Sequence, residues 1–155
     1  MQNMTRRQWL ARVGGAVVIP SFLSSCRPDI SRNVGAIGQR LSDAYRPVEK
    51  NGCVACDNCM PCPYGIDIPS NLIFVDRAAD DGYLPAALDS PDFAEKGREF
   101  LARYENKIPD AAQTQKCIGC GECLGTCPVE IDIPEQMSVI TALTDVLRDL
   151  RCQQL

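Results

Sequence analysis

Histidine is absent from all 155 residues. That excludes Rieske-type cluster ligation and His-ligated haem. It also removes the most frequent general base, which argues against hydrolytic chemistry. Aromatic residues make up only 6% of the chain, so the core they could help fill is modest. Basic residues are few. Residues 1–26 hold Arg6, Arg7 and Arg12 with no acid, leaving 13 basic against 20 acidic residues, a net −7, for the remainder. That balance offers no basic face of the kind that nucleic acid requires. No Gly-rich nucleotide loop opens a helix after a strand, and strand signals are nearly missing. The apolar stretch from Ala11 to Leu23 is short and interrupted by Arg12, below the ~20 residues of a membrane-spanning helix.

What the chain has is cysteine, ten in all. Eight fall in two runs. Cys53, Cys56, Cys59 and Cys62 lead into Pro63, and Cys117, Cys120, Cys123 and Cys127 lead into Pro128. Each run is followed by Ile-Asp-Ile-Pro, at Ile66–Pro69 and Ile131–Pro134. The spacing C-x2-C-x2-C-x3-C-P is the bacterial two-cluster ferredoxin pattern, in which the fourth thiol ligates the other cluster. Each iron of a cubane needs one terminal thiolate, and three regularly spaced thiols let one short loop wrap three corners. The runs are therefore expected to bind two [4Fe–4S] clusters. Cys53, Cys56, Cys59 and Cys127 would hold the first, and Cys117, Cys120, Cys123 and Cys62 the second. The first run departs from the pattern in one place. Only Met60 and Pro61 separate Cys59 from Cys62, against Leu124-Gly125-Thr126 in the second run. This leaves the swap of Cys62 open, but not its place among the ligands. Structural zinc usually takes separated C-x2-C pairs, often with His, and a disulfide framework would not crowd its thiols into two such runs. The runs fit clusters better than either.

The remaining cysteines, Cys26 and Cys152, lie outside the quartets. Thr5-Arg6-Arg7-Gln8-Trp9-Leu10 resembles a twin-arginine export signal, and the apolar stretch behind it has the length of a signal-peptide core. Leu23-Ser24-Ser25-Cys26 resembles a lipoprotein box, with Cys26 the lipidated residue and mature N-terminus. Twin-arginine export carries folded proteins, which suits a chain that must gain its metal before leaving the cytoplasm. The expected division is a signal at 1–26, a tether at 27–51 with one weak helical stretch over Ala36–Tyr45, and a dicluster domain at 52–151.

The offset from Cys53 to Cys117 is within one position of that from Cys62 to Cys127, the mark of an internal duplication and a pseudo-twofold. Ile66-Asp67-Ile68 and Ile131-Asp132-Ile133 read as short extended alternations whose isoleucines cover the clusters. Pro69 and Pro134 each suit a first helical position. One helix is expected from about Pro69 to Asp80, stopping near Gly82. A second starts at Ser90-Pro91-Asp92, runs through Phe93, Gly97, Phe100, Leu101, Tyr104 and Ile108, and ends at Pro109. Asp110–Gln115 would add one more turn. The last helix spans roughly Pro134 to Arg151 and carries Cys152 at its end. Gly119 and Gly121, which flank Cys120, let the second loop turn tightly. The stretch between Cys62 and Cys117 is longer than the connection of a small βαββαβ ferredoxin and suits a helical insertion. The fold class expected is mostly α, an α-helical ferredoxin-like domain whose clusters supply part of the folding energy.

Asn58-Cys-Met-Pro-Cys-Pro-Tyr-Gly-Ile-Asp-Ile-Pro69, with Cys117-Ile-Gly-Cys-Gly-Glu-Cys123 and Cys127-Pro128, resembles the ferredoxin-type C-terminal segment of some prokaryotic aldo/keto reductases. More distantly it is similar to the α-helical ferredoxin domains of other redox enzymes. The likeness covers about residues 50–150. It implies two [4Fe–4S] clusters on the eight matching cysteines. Those enzymes carry a (β/α)8 barrel ahead of the segment, and a barrel takes on the order of 250 residues. The chain ahead of Cys53 is far shorter than that, so no reductase activity is carried over. The expectation is an exported, lipid-anchored electron carrier serving a redox partner, with an acidic surface that suits a basic docking patch. One alternative is the iron–sulfur subunit of an oxidoreductase whose catalytic barrel is a separate chain. The other is a binding protein whose clusters only hold the fold.

Overall fold

The computed structural model describes residues 46–85 and 87–153. The expected signal, with Arg6, Arg7 and Cys26, and the helical stretch at 36–45 lie outside them. The described residues form three α-helices, α1 (Ile68–Asp80), α2 (Phe93–Lys107) and α3 (Ile133–Gln153), and two 3-10 turns, Asp110–Ala112 and Thr114–Lys116. No strand occurs among them, so the fold is mostly α, as a helical ferredoxin-type domain requires.

Both Ile-Asp-Ile-Pro segments start helices. Asp67 Oδ1 accepts the Ser70 N–H at 3.1 Å, and Asp132 Oδ1 accepts the Glu135 N–H at 3.1 Å. Pro69 and Pro134 fall in the first turn, where a missing N–H costs nothing. The aspartates are thus N-caps rather than polar members of an extended stretch, because capping satisfies amides that would otherwise be orphaned. α1 stops where Gly82, at φ +80°, turns the chain left-handed. α2 begins immediately after Asp92, whose carboxylate pairs with Lys96 at 2.8 Å instead of capping. The single turn expected over 110–115 is split at Gln113. Its buried amide donates to Ile108 O at 2.8 Å and accepts from Arg148 Nη2 at 2.7 Å.

The core lies between the helices. Phe74 of α1 meets Phe100 and Tyr104 of α2 edge-on, with centroids 5.2 and 5.4 Å apart, within the range where aromatic pairs add to simple burial. From α3, Met137, Ile140, Leu143, Val146 and Leu147 are buried, the apolar stripe of an amphipathic helix. α2 and α3 approach closely at Gly97, where an added Cβ would lie 2.3 Å from Leu147 Cδ2. A buried polar network ties the elements together. Tyr104 Oη donates to Asn71 Oδ1 at 2.6 Å, and Asn71 Nδ2 donates to Asp67 O at 2.7 Å and to Ala112 O at 3.0 Å. Asn71 is fully buried. It therefore fixes the cap of α1 to the Asp110–Ala112 turn, the first of the two ahead of Cys117. Among the described residues, no helix is long and apolar enough to cross a membrane.

Candidate metal centres

The two cysteine loops are built alike. Ala55, φ 53°, and Asp57, φ 58°, occupy the positions that Gly119, φ 68°, and Gly121, φ 79°, hold in the second half. Both loops thus step through the left-handed region on either side of their second cysteine, Cys56 or Cys120. The second loop does so with glycine. The first carries two side chains in a region that costs roughly 1–2 kcal/mol per non-glycine residue. The plain reading of Gly119 and Gly121 as turn formers is consistent with these angles.

Each loop supplies three walls of a cavity and the other half supplies the fourth. One cavity is lined by Cys53, Cys56, Cys59 and Cys127 together with Leu72, Val129, Ile131 and Ile133. The second is lined by Cys62, Cys117, Cys120 and Cys123 together with Ile66, Ile68, Ile133 and Met137. In each lining the last cysteine of one run stands with the first three of the other, Cys127 with the first loop and Cys62 with the second. All four isoleucines of the repeated segments line these cavities, and Ile133 lines both. A cleft lined by Cys59, Cys62, Cys120 and Cys123, with Asn58, Met60 and Glu122, lies where the two quartets come together.

Burial pushes the Cys59 thiol up to about 11, and the neighbouring sulfurs of Cys53, Cys123 and Cys56 add to the effect. Burial likewise raises Cys53, with Asp76, Cys127 and Cys56 contributing, and raises Cys123, with Cys117, Cys120 and Cys62 contributing. Four thiolates cannot share so apolar a cavity unless a cationic core neutralises them, and coordination removes the thiol proton. Two sets of four thiols in hydrophobic cavities therefore fit two iron–sulfur cubanes. Cys56 and Cys120 remain exposed. Around them lie Val54, Tyr64, Ile118, Leu124 and Val129, all large apolar side chains left open to solvent.

A family model for a 4Fe-4S dicluster domain matches residues 52–131, both cysteine runs included. The chain belongs to the 4Fe-4S dicluster domain family. It is an iron–sulfur protein of the ferredoxin type, and its cofactors are two [4Fe–4S] clusters. No curated protein and no solved structure matches the chain.

Sequence reasoning missed the residues that hold this dicluster domain's loops to its helices. The carboxylate of Asp76, on α1, accepts the main-chain N–H groups of Asn51 at 2.8 Å, Gly52 at 3.0 Å and Cys53 at 3.2 Å. Asn51 Nδ2 donates to Leu72 O at 3.0 Å, and Asn51 Oδ1 accepts from the Cys53 N–H at 3.1 Å. At the equivalent position of the second half stands Thr141 of α3. Its hydroxyl lies 2.8 Å from that of Thr114, and Thr114 O accepts the Cys117 N–H at 2.9 Å. No spacing rule marks Asp76, since its partners are main-chain amides far back in the sequence, on the other side of the first cysteine loop.

Proposed function

We propose that the protein is an exported electron carrier, anchored by lipid at Cys26, that relays single electrons to or from a redox partner. Cys53, Cys56, Cys59 and Cys127 would hold one cluster, and Cys117, Cys120, Cys123 and Cys62 the other. When bound, the clusters supply reversible one-electron chemistry. The observation that carries this reading is the crossed grouping of eight thiols around two apolar cavities. The chain's residues do three things in it. The thiolates bind. Ile66, Ile68, Ile131 and Ile133 exclude water. The cleft lined by Cys59, Cys62, Cys120 and Cys123 lies between the quartets, on the path an electron would take from one to the other.

The partner would dock over the cysteine loops, where Val54, Ile118, Leu124 and Val129 offer exposed apolar surface beside Cys56 and Cys120. Asp57, Glu122 and Glu130 ring that surface, so a partner patch with an apolar centre and basic rim is complementary. The sequence likeness to the ferredoxin segment of aldo/keto reductases supports an electron-transfer module. Export rests on Arg6 and Arg7, and anchoring on Cys26.

The test is a reversible redox cycle. Anaerobic protein should take up and release electrons from soluble mediators through repeated cycles, and should turn over no carbonyl substrate with a nicotinamide cofactor. Mass spectrometry of native protein should find a diacylated or triacylated mature start at Cys26. Reduction of a carbonyl by the purified chain alone would end the carrier reading, and an intact Met1 would end the anchor.

A further inference from the structure

The duplication makes the two metal sites nearly equivalent, so the places where the halves differ in charge stand out. The matched pair Asp76 and Thr141 is one. Each lies at the same step of its helix, two turns beyond the helix's first isoleucine, and each holds down the start of its own cysteine loop. In the first half the holder is a carboxylate whose hydrogen bonds, among the described residues, come from three main-chain amides and from no cation. In the second it is a neutral pair of hydroxyls. The residue immediately before the loop differs as well. It is Gly52 in the first half and Lys116, which is exposed, in the second.

Other charges do not reverse this contrast. Each loop has one exposed acid between its second and third cysteines, Asp57 and Glu122. Lys50, just ahead of the first loop, is exposed; it pairs with Asp80 at 2.6 Å and also lies within electrostatic reach of Asp76, so its one charge is shared between two carboxylates. Glu130 follows Cys127, whose side chain lines the first cavity, and its counterpart in the first half is Gly65. The excess of negative charge therefore falls on the Cys53 site and the added positive charge on the Cys117 site.

We propose that Asp76 is a positioning residue that also sets the direction of the relay, by disfavouring an added electron at the Cys53 site relative to the Cys117 site. The inference rests on the two-cluster reading above. A carboxylate half-buried against amides near a metal site interacts with added negative charge more strongly than one in water. An electron entering at the Cys53 quartet thus runs downhill to the Cys117 quartet. One electron moves, no bond forms or breaks, and no proton is transferred.

A redox titration of the full chain followed by electron paramagnetic resonance tests this, with Cys56→Ser marking which signal belongs to the first site. Wild type should show two unequal potentials, the Cys53 site lower. Asp76→Asn should shift the partition of one electron toward the Cys53 site by about tenfold, or ~59 mV for a one-electron couple. Asp76→Glu, which keeps the charge, should hold the wild-type gap. A merely structural role would disturb both equally. If Asp76→Asn fails to assemble the first site, Lys116→Gln on the exposed surface must narrow the same gap from the other end. Equal potentials in wild type, or a gap that neither substitution moves, would overturn the proposal and leave the clusters in place. Iron-free wild-type protein would instead overturn the cluster reading on which it rests.

Discussion

Replacing Tyr104 by Phe removes one oxygen from the centre of the domain and should cost about 2 kcal/mol, as a buried hydrogen bond broken from one side does. Tyr104 is fully buried, and its hydroxyl donates to Asn71 Oδ1 at 2.6 Å. Because Asn71 Oδ1 is left buried without its donor, the cost is the roughly 1–3 kcal/mol of an orphaned acceptor rather than the ~1 kcal/mol net worth of the bond. The side chain's apolar bulk is unchanged, so no cavity contributes. Asn71 joins the cap of α1 to Ala112 in the turn before Cys117, so the loss loosens the support of both metal sites. Anaerobic urea unfolding, followed by the helical circular dichroism signal, should show a midpoint lowered by about 1 M, given a slope of roughly 1–3 kcal/mol/M for a small protein. In an Asn71→Ala background the same Tyr104→Phe change should cost well under half as much, because the acceptor is already gone. A single-variant shift below about 0.2 M, or full additivity of the pair, would refute the role given to this network.

Three further outcomes follow from particular contacts. Gly97→Ala places a methyl group against Leu147. It should destabilise by about 1–3 kcal/mol despite the ~1 kcal/mol helix-propensity gain, and Leu147→Ala should relieve it, as thermal unfolding would report. Gly119→Ala meets no atom within 4 Å at φ +68°, so it should lose about 1 kcal/mol to backbone strain alone, whereas Ala55→Gly at the matching position should be neutral or stabilising. Burial would raise Glu105, but Arg151 and Arg148 outweigh it and hold the carboxyl below its usual range. A depressed carboxylate stabilises above its unfolded pKa and loses that contribution as pH falls through the folded one. Glu105→Gln should therefore lower stability by up to about 1 kcal/mol at pH 7, with the gap to wild type closing below about pH 4.5; a gap that does not change with pH would contradict the ion-pair explanation.

The two clusters were legible because a cubane imposes spacing on the chain, and the cysteine runs from Cys53 to Cys127 carry that spacing openly. The helix positions were legible because Pro69, Pro134 and Pro109 punctuate them and the apolar stripes repeat at helical period. Asp67 and Asp132 were misread as part of an alternation, although an Asp two places before Pro is itself a cap signal. The left-handed angles of Ala55 and Asp57 could be inferred only by aligning the halves, where Gly119 and Gly121 show what the backbone does. Asp76, the Asn71–Tyr104 network and the bridging amide of Gln113 left no local trace. Their partners are set by how the helices pack, which periodicity does not encode.

The central claim, two [4Fe–4S] clusters wired across the halves of one small helical domain, is tested most directly by electron paramagnetic resonance of the dithionite-reduced protein, with iron and labile sulfide counted on the same sample. Crossed ligation around adjoining cavities predicts about eight irons and eight sulfides per chain and a broadened, spin-coupled spectrum from two neighbouring centres. Stoichiometric zinc without labile sulfide, or a single isolated cluster signal, would contradict it.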